Sequence, residues 1–145
     1  METCSTRGSL QLEEARAFGQ AIYAHVGGHP YLTQRLGGWL EEYLAAGESL
    51  TPAHLDRAVE QILRDDPLLR HVRKALDEQR LSAAARSLLN DRLRFSRLDE
   101  EMARLELVGL AKELGGYWTV RNRLLGCALR EWVDVLPDSK KRPSL

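Results

Sequence analysis

The 145-residue sequence has no charge imbalance, because 21 lysines and arginines stand against 21 aspartates and glutamates. A protein held to nucleic acid mainly through phosphates ordinarily carries a basic excess, and that signature is missing. Cysteine is scarce. Cys4 and Cys127 lie far apart with no C-x-x-C partner, which reads as two free thiols in a reducing cytosol rather than a disulfide. No apolar run approaches the ~20 residues that span a bilayer, and the start, Met1 to Ser9, lacks the apolar centre of a signal peptide. The expectation is a cytoplasmic protein without a membrane segment.

Catalytic and metal-binding patterns are missing too. There is no G-x-x-x-x-G-K-[ST] loop to cradle phosphates, and no apolar strand ends in an acidic residue placed to hold magnesium. His25, His29, His54 and His71 show no metal-ligand spacing. His25 and His29 stand four apart, but Gly27-Gly28 interrupts the helix between them, so no metal site is expected. No G-x-S-x-G elbow occurs, and Glu41-Glu42 and Asp99-Glu100-Glu101 read as solvated helix faces. The chain is expected not to be an enzyme.

What is present is leucine in excess over valine and isoleucine, which favours helix, in a chain long enough for one core or two small ones. A first helix is predicted from about Leu10 to Val26. Leu12, Ala15, Phe18, Ile22 and Val26 make one apolar stripe along it, and Glu13 and Glu14 sit in its first turn. A second runs from Pro30 to about Ala46 with a broad apolar face of Tyr31, Leu32, Leu36, Trp39, Leu40, Tyr43 and Leu44. Its Gly37-Gly38 pair implies close approach by a neighbouring helix or room for another domain. Thr51-Pro52 starts a third helix, carried by Leu55, Ala58, Val59, Ile62 and Leu63 to about Arg64. Asp65-Asp66-Pro67 then breaks the chain.

Beyond that break, Pro67 to Gln79 reads as a helix with Leu68, Leu69, Val72 and Leu76 inward. Ser82 is read as the cap of a second helix and Ser96 as the cap of a third, with Leu98, Met102, Leu105 and Leu107 inward. Two β-prone runs, Leu107 to Leu114 and Tyr117 to Val120, flank Gly115-Gly116 as a hairpin. A last helix spans Asn122 to about Leu136, with Leu124, Leu125, Ala128, Leu129 and Trp132 facing in. The fold class is therefore mainly α: a three-helix bundle over 10–65, then a winged-helix order over 66–136. Residues 1–9 and 137–145 are expected to be disordered.

The pivotal stretch is Val26-Gly27-Gly28-His29-Pro30-Tyr31-Leu32. Two glycines supply the positive φ that ends one helix, and a proline with fixed φ opens the next. On the residues alone this is a helix–helix corner with an incidental histidine. Gly28-His29-Pro30-Tyr31-Leu32 also resembles the Gly-His-Pro-Tyr-Leu turn of bacterial AAA-like ATPases of the STAND class. In that family a helical lid follows the turn and a winged helix follows the lid. The family's winged helix closes with an L-x-x-L-G-L-V phrase, an aromatic wing and V-R-N. Here Leu105-Glu106-Leu107-Val108-Gly109-Leu110 is a permuted form of the first, and Tyr117-Trp118-Thr119-Val120-Arg121-Asn122 matches the rest.

The resemblance covers nearly all of the sequence from Leu10 to Val135, but the family's α/β core lies outside it. It implies a non-catalytic regulatory module that relays nucleotide state through the winged helix. Gly28, His29 and Pro30 would form the nucleotide-facing turn, and Arg121 and Asn122 would act at the wing's exit between subdomains. ATP or ADP would bind only if a P-loop core were supplied, in cis or in trans, and an effector domain is the other implied partner. The rival reading is a DNA-binding winged-helix regulator using Arg94, Arg97, Arg104 and Lys112. Against it, the third helix of the winged-helix region would present Asp99, Glu100, Glu101 and Glu106 to phosphates.

Overall fold

The computed structural model of the protein describes residues 12–135, which hold seven helices and three short strands. The chain divides into two compact units, the first ending at Asp66 and the second beginning at Pro67. Among the described residues, no helix is long and apolar enough to cross a membrane.

The first unit contains α1 (Leu12–Val26), α2 (Pro30–Ala45) and α3 (Pro52–Arg64). Its core is the seam between α2 and α3, where Leu32, Leu36 and Leu40 are buried with Leu55, Ala58 and Ile62. Helical spacing puts each set on one face, so packing the two stripes together removes both from water. Proline opens both helices at the first helical position, with His29 and Thr51 as the residues before them.

The stripe expected along α1 needs correction. Leu12 is 73% exposed and Ala15 is exposed, Phe18 and Ile22 are half-buried, and only Val26 is buried. The short corner presses the last turn of α1 onto its neighbours, while nothing among the described residues covers its first turns. Of the two readings of the Gly37-Gly38 pair, close approach by a neighbouring helix fails, since a Cβ at either position would meet no atom within 4 Å, while nothing here bears against room for another domain. No helix of this unit comes close there.

The second unit runs α4 (Pro67–Glu78), α5 (Ser82–Asn90), β1 (Leu93–Arg94), α6 (Glu100–Val108), β2 (Ala111–Leu114), β3 (Tyr117–Val120) and α7 (Arg123–Val135). The strands form an antiparallel sheet in the order β1-β3-β2. β2 and β3 pair Leu114 with Tyr117 across Gly115 and Gly116, whose φ values of 60° and 85° give the tight turn that suits strand twist. β1 was not expected. Two residues are too few for a hydrophobic period, and the strand exists because Leu93 and Arg94 pair with Trp118 and Tyr117 of β3.

Three boundary assignments are also revised. Ser82 is the first residue of α5, with Leu81 at the cap position. α6 starts later than a Ser96 cap implies: the Asp99 carboxylate accepts from the Met102 N–H at 3.1 Å, while the Ser96 hydroxyl accepts from the Leu98 N–H in the preceding turn. Asp99 wins because it combines the cap bond with negative charge at the positive end of the helix dipole. The inward face of α6 is then Met102 and Leu105. Leu98 falls before the helix at 90% exposed, and Leu107, 200° around from Leu105, is 87% exposed. Leu107 and Val108 belong to the last turn of α6, and Gly109 (φ 101°) ends it, so the strand begins only at Ala111.

α7 buries Leu124, Leu125, Ala128, Leu129 and Trp132, as its period requires. Gly126 lies in the same helix, and a Cβ there would sit 3.6 Å from the Val120 side chain, an ordinary contact. Leu136 and the two expected disordered tails fall outside the described residues, as does Cys4, while Cys127 is an exposed free thiol.

The two leucines of α6 separate inward from outward face. Leu105→Ala is expected to cost about 2–5 kcal/mol and Leu107→Ala no more than about 0.5 kcal/mol, read from urea midpoints at unchanged slope. Equal shifts in the two variants would refute the assigned face.

Candidate functional site

The corner between α1 and α2 is built almost entirely by the backbone. Gly27 (φ 59°) and Gly28 (φ 80°) are both left-handed, and the Gly27 N–H donates to the Tyr23 carbonyl at 2.7 Å to close α1. A Cβ at Gly28 would lie 3.3 Å from Tyr23 Cε2 in a conformation that L side chains rarely adopt, so glycine is required there twice over. His29 is extended and half-buried, and its N–H donates to the Val26 carbonyl at 3.1 Å. Its carbonyl accepts from the Thr33 N–H at 2.9 Å. Its ring Nδ1 accepts from the Leu32 N–H at 3.3 Å, which makes His29 the side-chain cap of α2. Nδ1 must be unprotonated to accept, so a neutral imidazole in this role carries its proton on Nε2. The histidine is therefore part of the turn's construction.

One turn into α2, Tyr31 and Arg35 are four residues apart and share a helix face. Both reach Asp66. The Tyr31 hydroxyl donates to Oδ2 at 3.1 Å and Arg35 Nε donates to Oδ1 at 2.9 Å. The Asp66 side chain is wholly buried, whereas that of Arg35 is 41% exposed. Among the described residues Asp66 is the buried charged group. The sequence marks Asp65-Asp66-Pro67 as a chain break and the boundary between the two regions, and no local signal marks the pairing, because its partners lie 35 and 31 residues away.

At the opposite end of α2 a second polar cluster ties α3 down. His54 Nδ1 accepts from the Thr51 N–H at 3.0 Å, so Nε2 holds the proton and donates to Glu48 Oε1 at 2.8 Å. Arg57 reaches the same carboxylate at 3.5 Å and lies over the Tyr43 ring, 4.6 Å from its centroid. The His54 bond, with the Arg57 charge behind it, holds the Glu48 carboxyl below its ordinary 4.5. Among the described residues no three histidine, cysteine, aspartate or glutamate side chains come together as a metal site.

The residues named for nucleic acid are spread over four places. Arg94 is on β1 and Lys112 on β2, the two strands that flank β3, and both are exposed. Arg104 is exposed on α6. Arg97 precedes α6 and is engaged by Glu106 at 2.5 Å, with its guanidinium 4.9 Å from the Phe95 ring centroid. Exposed Asp99, Glu100, Glu101 and Leu107 accompany Arg104 around α6. Arg92, stacked 3.9 Å from the Tyr117 ring centroid, is a further basic group beside the sheet. At the hairpin's base the Arg121 N–H donates to the Leu110 carbonyl at 2.7 Å. Asn122 Oδ1 accepts from the Leu125 N–H at 2.8 Å, which caps α7.

An open groove of about 630 Å³ runs between the end of α5 and the hairpin, lined by Leu88, Leu89, Arg92, Leu114, Tyr117 and Trp118 among others. No nucleophile–base pair or carboxylate pair lines it. No family model matches the chain, and neither a curated protein nor a solved structure matches it.

The Glu48 cluster has a defined pH signature. A carboxyl with its folded pKa depressed contributes stability above its unfolded value, and that contribution is lost as pH falls through the folded value. Glu48→Gln, which keeps an acceptor but cannot ionise, is expected to melt below the unchanged protein at neutral pH. The two melting temperatures should converge as pH drops below 4.5. A gap that stays constant down to about pH 3 would show that ionised Glu48 contributes nothing specific.

Proposed function

We propose that the chain is the helical lid and winged helix of an AAA-like, STAND-class NTPase, a non-catalytic module that relays nucleotide state to attached domains. The observation that carries this reading is the corner itself. The stretch from Gly27 to Leu32 has two left-handed glycines, a capping histidine and a helix-opening proline, which together make a stiff turn. The second unit supports the reading by its order of helix, helix, short strand, helix, hairpin and helix, with antiparallel strands in the order β1-β3-β2. In a winged helix α6 is the exposed third helix.

In this reading Gly28, His29 and Pro30 face a nucleotide held by a P-loop core that this sequence does not contain. Three backbone features, a fixed φ at Pro30 and two glycines without side chains, allow close approach of the turn to a planar base or its sugar. Arg121 and Asn122 stand where the hairpin passes into α7, and their bonds make that junction stiff enough to carry a displacement. ATP or ADP binds when the core is present, and the chain alone turns over neither.

The exposed face of α6 favours a protein partner over DNA. Phosphates meeting Asp99, Glu100 and Glu101 are repelled, Arg97 is already committed to Glu106, and Leu107 presents apolar surface where a DNA reader needs donors. Arg94 and Lys112 are the residues that keep a DNA-binding regulator as the alternative.

Two measurements separate these readings. The purified chain is expected to release no phosphate from ATP above the buffer rate, and to show only weak, non-specific affinity for a mixed-sequence duplex at low salt, about 10 μM or weaker. Phosphate release that survives further purification would end the proposal. So would submicromolar duplex binding that falls steeply with salt and is lost in Arg94→Ala with Lys112→Ala. On the positive side, the reading frame upstream of Met1, or a neighbouring gene, is expected to encode G-x-x-x-x-G-K-[ST].

A further inference from the structure

We infer that the outer face of the small sheet, with the groove beside it, is a docking site for an extended acidic peptide of a partner protein. Its recognised pattern is two carboxylates at alternate positions followed by a leucine. The face follows from register. Strand side chains alternate, and paired residues of neighbouring strands share a side. Trp118 is buried, and its partner Leu93 lies among Ala84, Ser87 and Met102 of α5 and α6, so this side is the inner one. Tyr117 therefore turns outward, between Arg94 on β1 and Leu114 on β2. Thr119 and its partner Lys112 lie on that same side. Arg92 joins the outer face by stacking on the Tyr117 ring.

The charge there is one-sided. Among the described residues Arg92, Arg94 and Lys112 make no ion pair. Glu113, which alternates to the other side, is spent on the hairpin turn, where it accepts from the Gly116 N–H at 2.8 Å. Stacking uses none of the five N–H donors of Arg92, which match a carboxylate in a two-pronged pair. Arg92 and Arg94 stand about 7 Å apart along an extended backbone, the interval that separates alternate side chains of an extended peptide. Back along the chain from Arg92, Leu89 and Leu88 make an apolar wall of the groove, and Leu114, 63% exposed, makes its lip. Trp118 belongs to the same lining, and its indole N–H is buried with no acceptor among the described residues. Such a donor costs stability until something accepts from it, and a peptide carbonyl in the groove does so.

A nucleic acid strand fits this face less well. It needs open rings to stack on, whereas Tyr117 carries Arg92 and Trp118 is buried. Asp91 also lines the groove. A strand brings a phosphate with every nucleotide, while a peptide can set an uncharged residue beside that carboxylate. The site lies wholly within the second unit and does not rest on the nucleotide relay.

The test uses the full chain and an amidated Glu-Ser-Glu-Ser-Leu peptide with a fluorophore at its N-terminus. Anisotropy at low salt is expected to show saturable binding with a Kd of about 100 μM or tighter, weakening as salt rises. Glutamine in place of both glutamates is expected to weaken binding about tenfold, and serine in place of the leucine about threefold. Arg92→Ala should weaken it about fivefold without lowering the melting temperature by more than a few degrees. In proton NMR spectra the Trp118 indole N–H, assigned through its proximity to the Phe95 ring, is expected to move downfield on titration. No saturation by about 1 mM, equal binding of the glutamine peptide, or an indole proton that stays in place overturns the inference. So does tighter binding of a six-nucleotide oligo-dT, which would assign the face to nucleic acid. Phosphate release from ATP and the upstream reading frame are untouched by the peptide results, so this site and the proposed function fail separately.

Discussion

A carboxylate in the dry interior has to be bonded wherever it points, and in this protein that necessity falls on Asp66. Tyr31 and Arg35 donate to it from one face of α2, four residues apart, so the acceptor is tied to a rigid rod. α2 in turn supplies most of the core seam with α3, through Leu32, Leu36 and Leu40 on the adjoining stripe. The polar tether and the apolar seam therefore share a helix. Neither survives a rotation of α2, because turning it enough to unpack the leucines also withdraws the donors from Asp66.

The beginning of α2 is where that rod is set. Two left-handed glycines end α1, His29 satisfies one of the amides left unpaired at the start of α2, and Pro30 removes another donor that would need a partner. An ordinary loop of this length would leave the direction of α2 soft. Here the backbone allows one course, and the same stiffness that a structural corner needs is what a ligand-facing turn needs. The physics of the turn is common to both roles, which is why the function proposed for it is tested by chemistry on the chain and not by the turn's geometry.

The second unit solves a different problem, that of a sheet too small to stand alone. Three strands of two to four residues are held by the Gly115-Gly116 turn, by Phe95 packing 4.6 Å from Trp118, and by Arg92 stacked on Tyr117. Helix α6 is capped by Asp99 and closed by Gly109, so both of its ends are settled by single residues. What remains outward on α6 is a mixture of acids, Arg104 and Leu107.

The sequence by itself determined everything that depends on local chemistry. Helical spacing of leucines located the buried faces of α2, α3, α4 and α7. Glycine pairs located the corner and the hairpin, and prolines located three helix starts, because backbone dihedral limits act within a few residues. Tertiary structure decided what depends on distant partners. It left α1 largely uncovered despite its stripe, made a strand of Leu93–Arg94 through the register of β3, and left Leu98 ahead of α6 once Asp99 rather than Ser96 capped that helix. Above all it buried Asp66 against Tyr31 and Arg35. A sequence shows which groups can bond, but which of them lose their water is settled only when segments 31 and 35 residues apart are brought together.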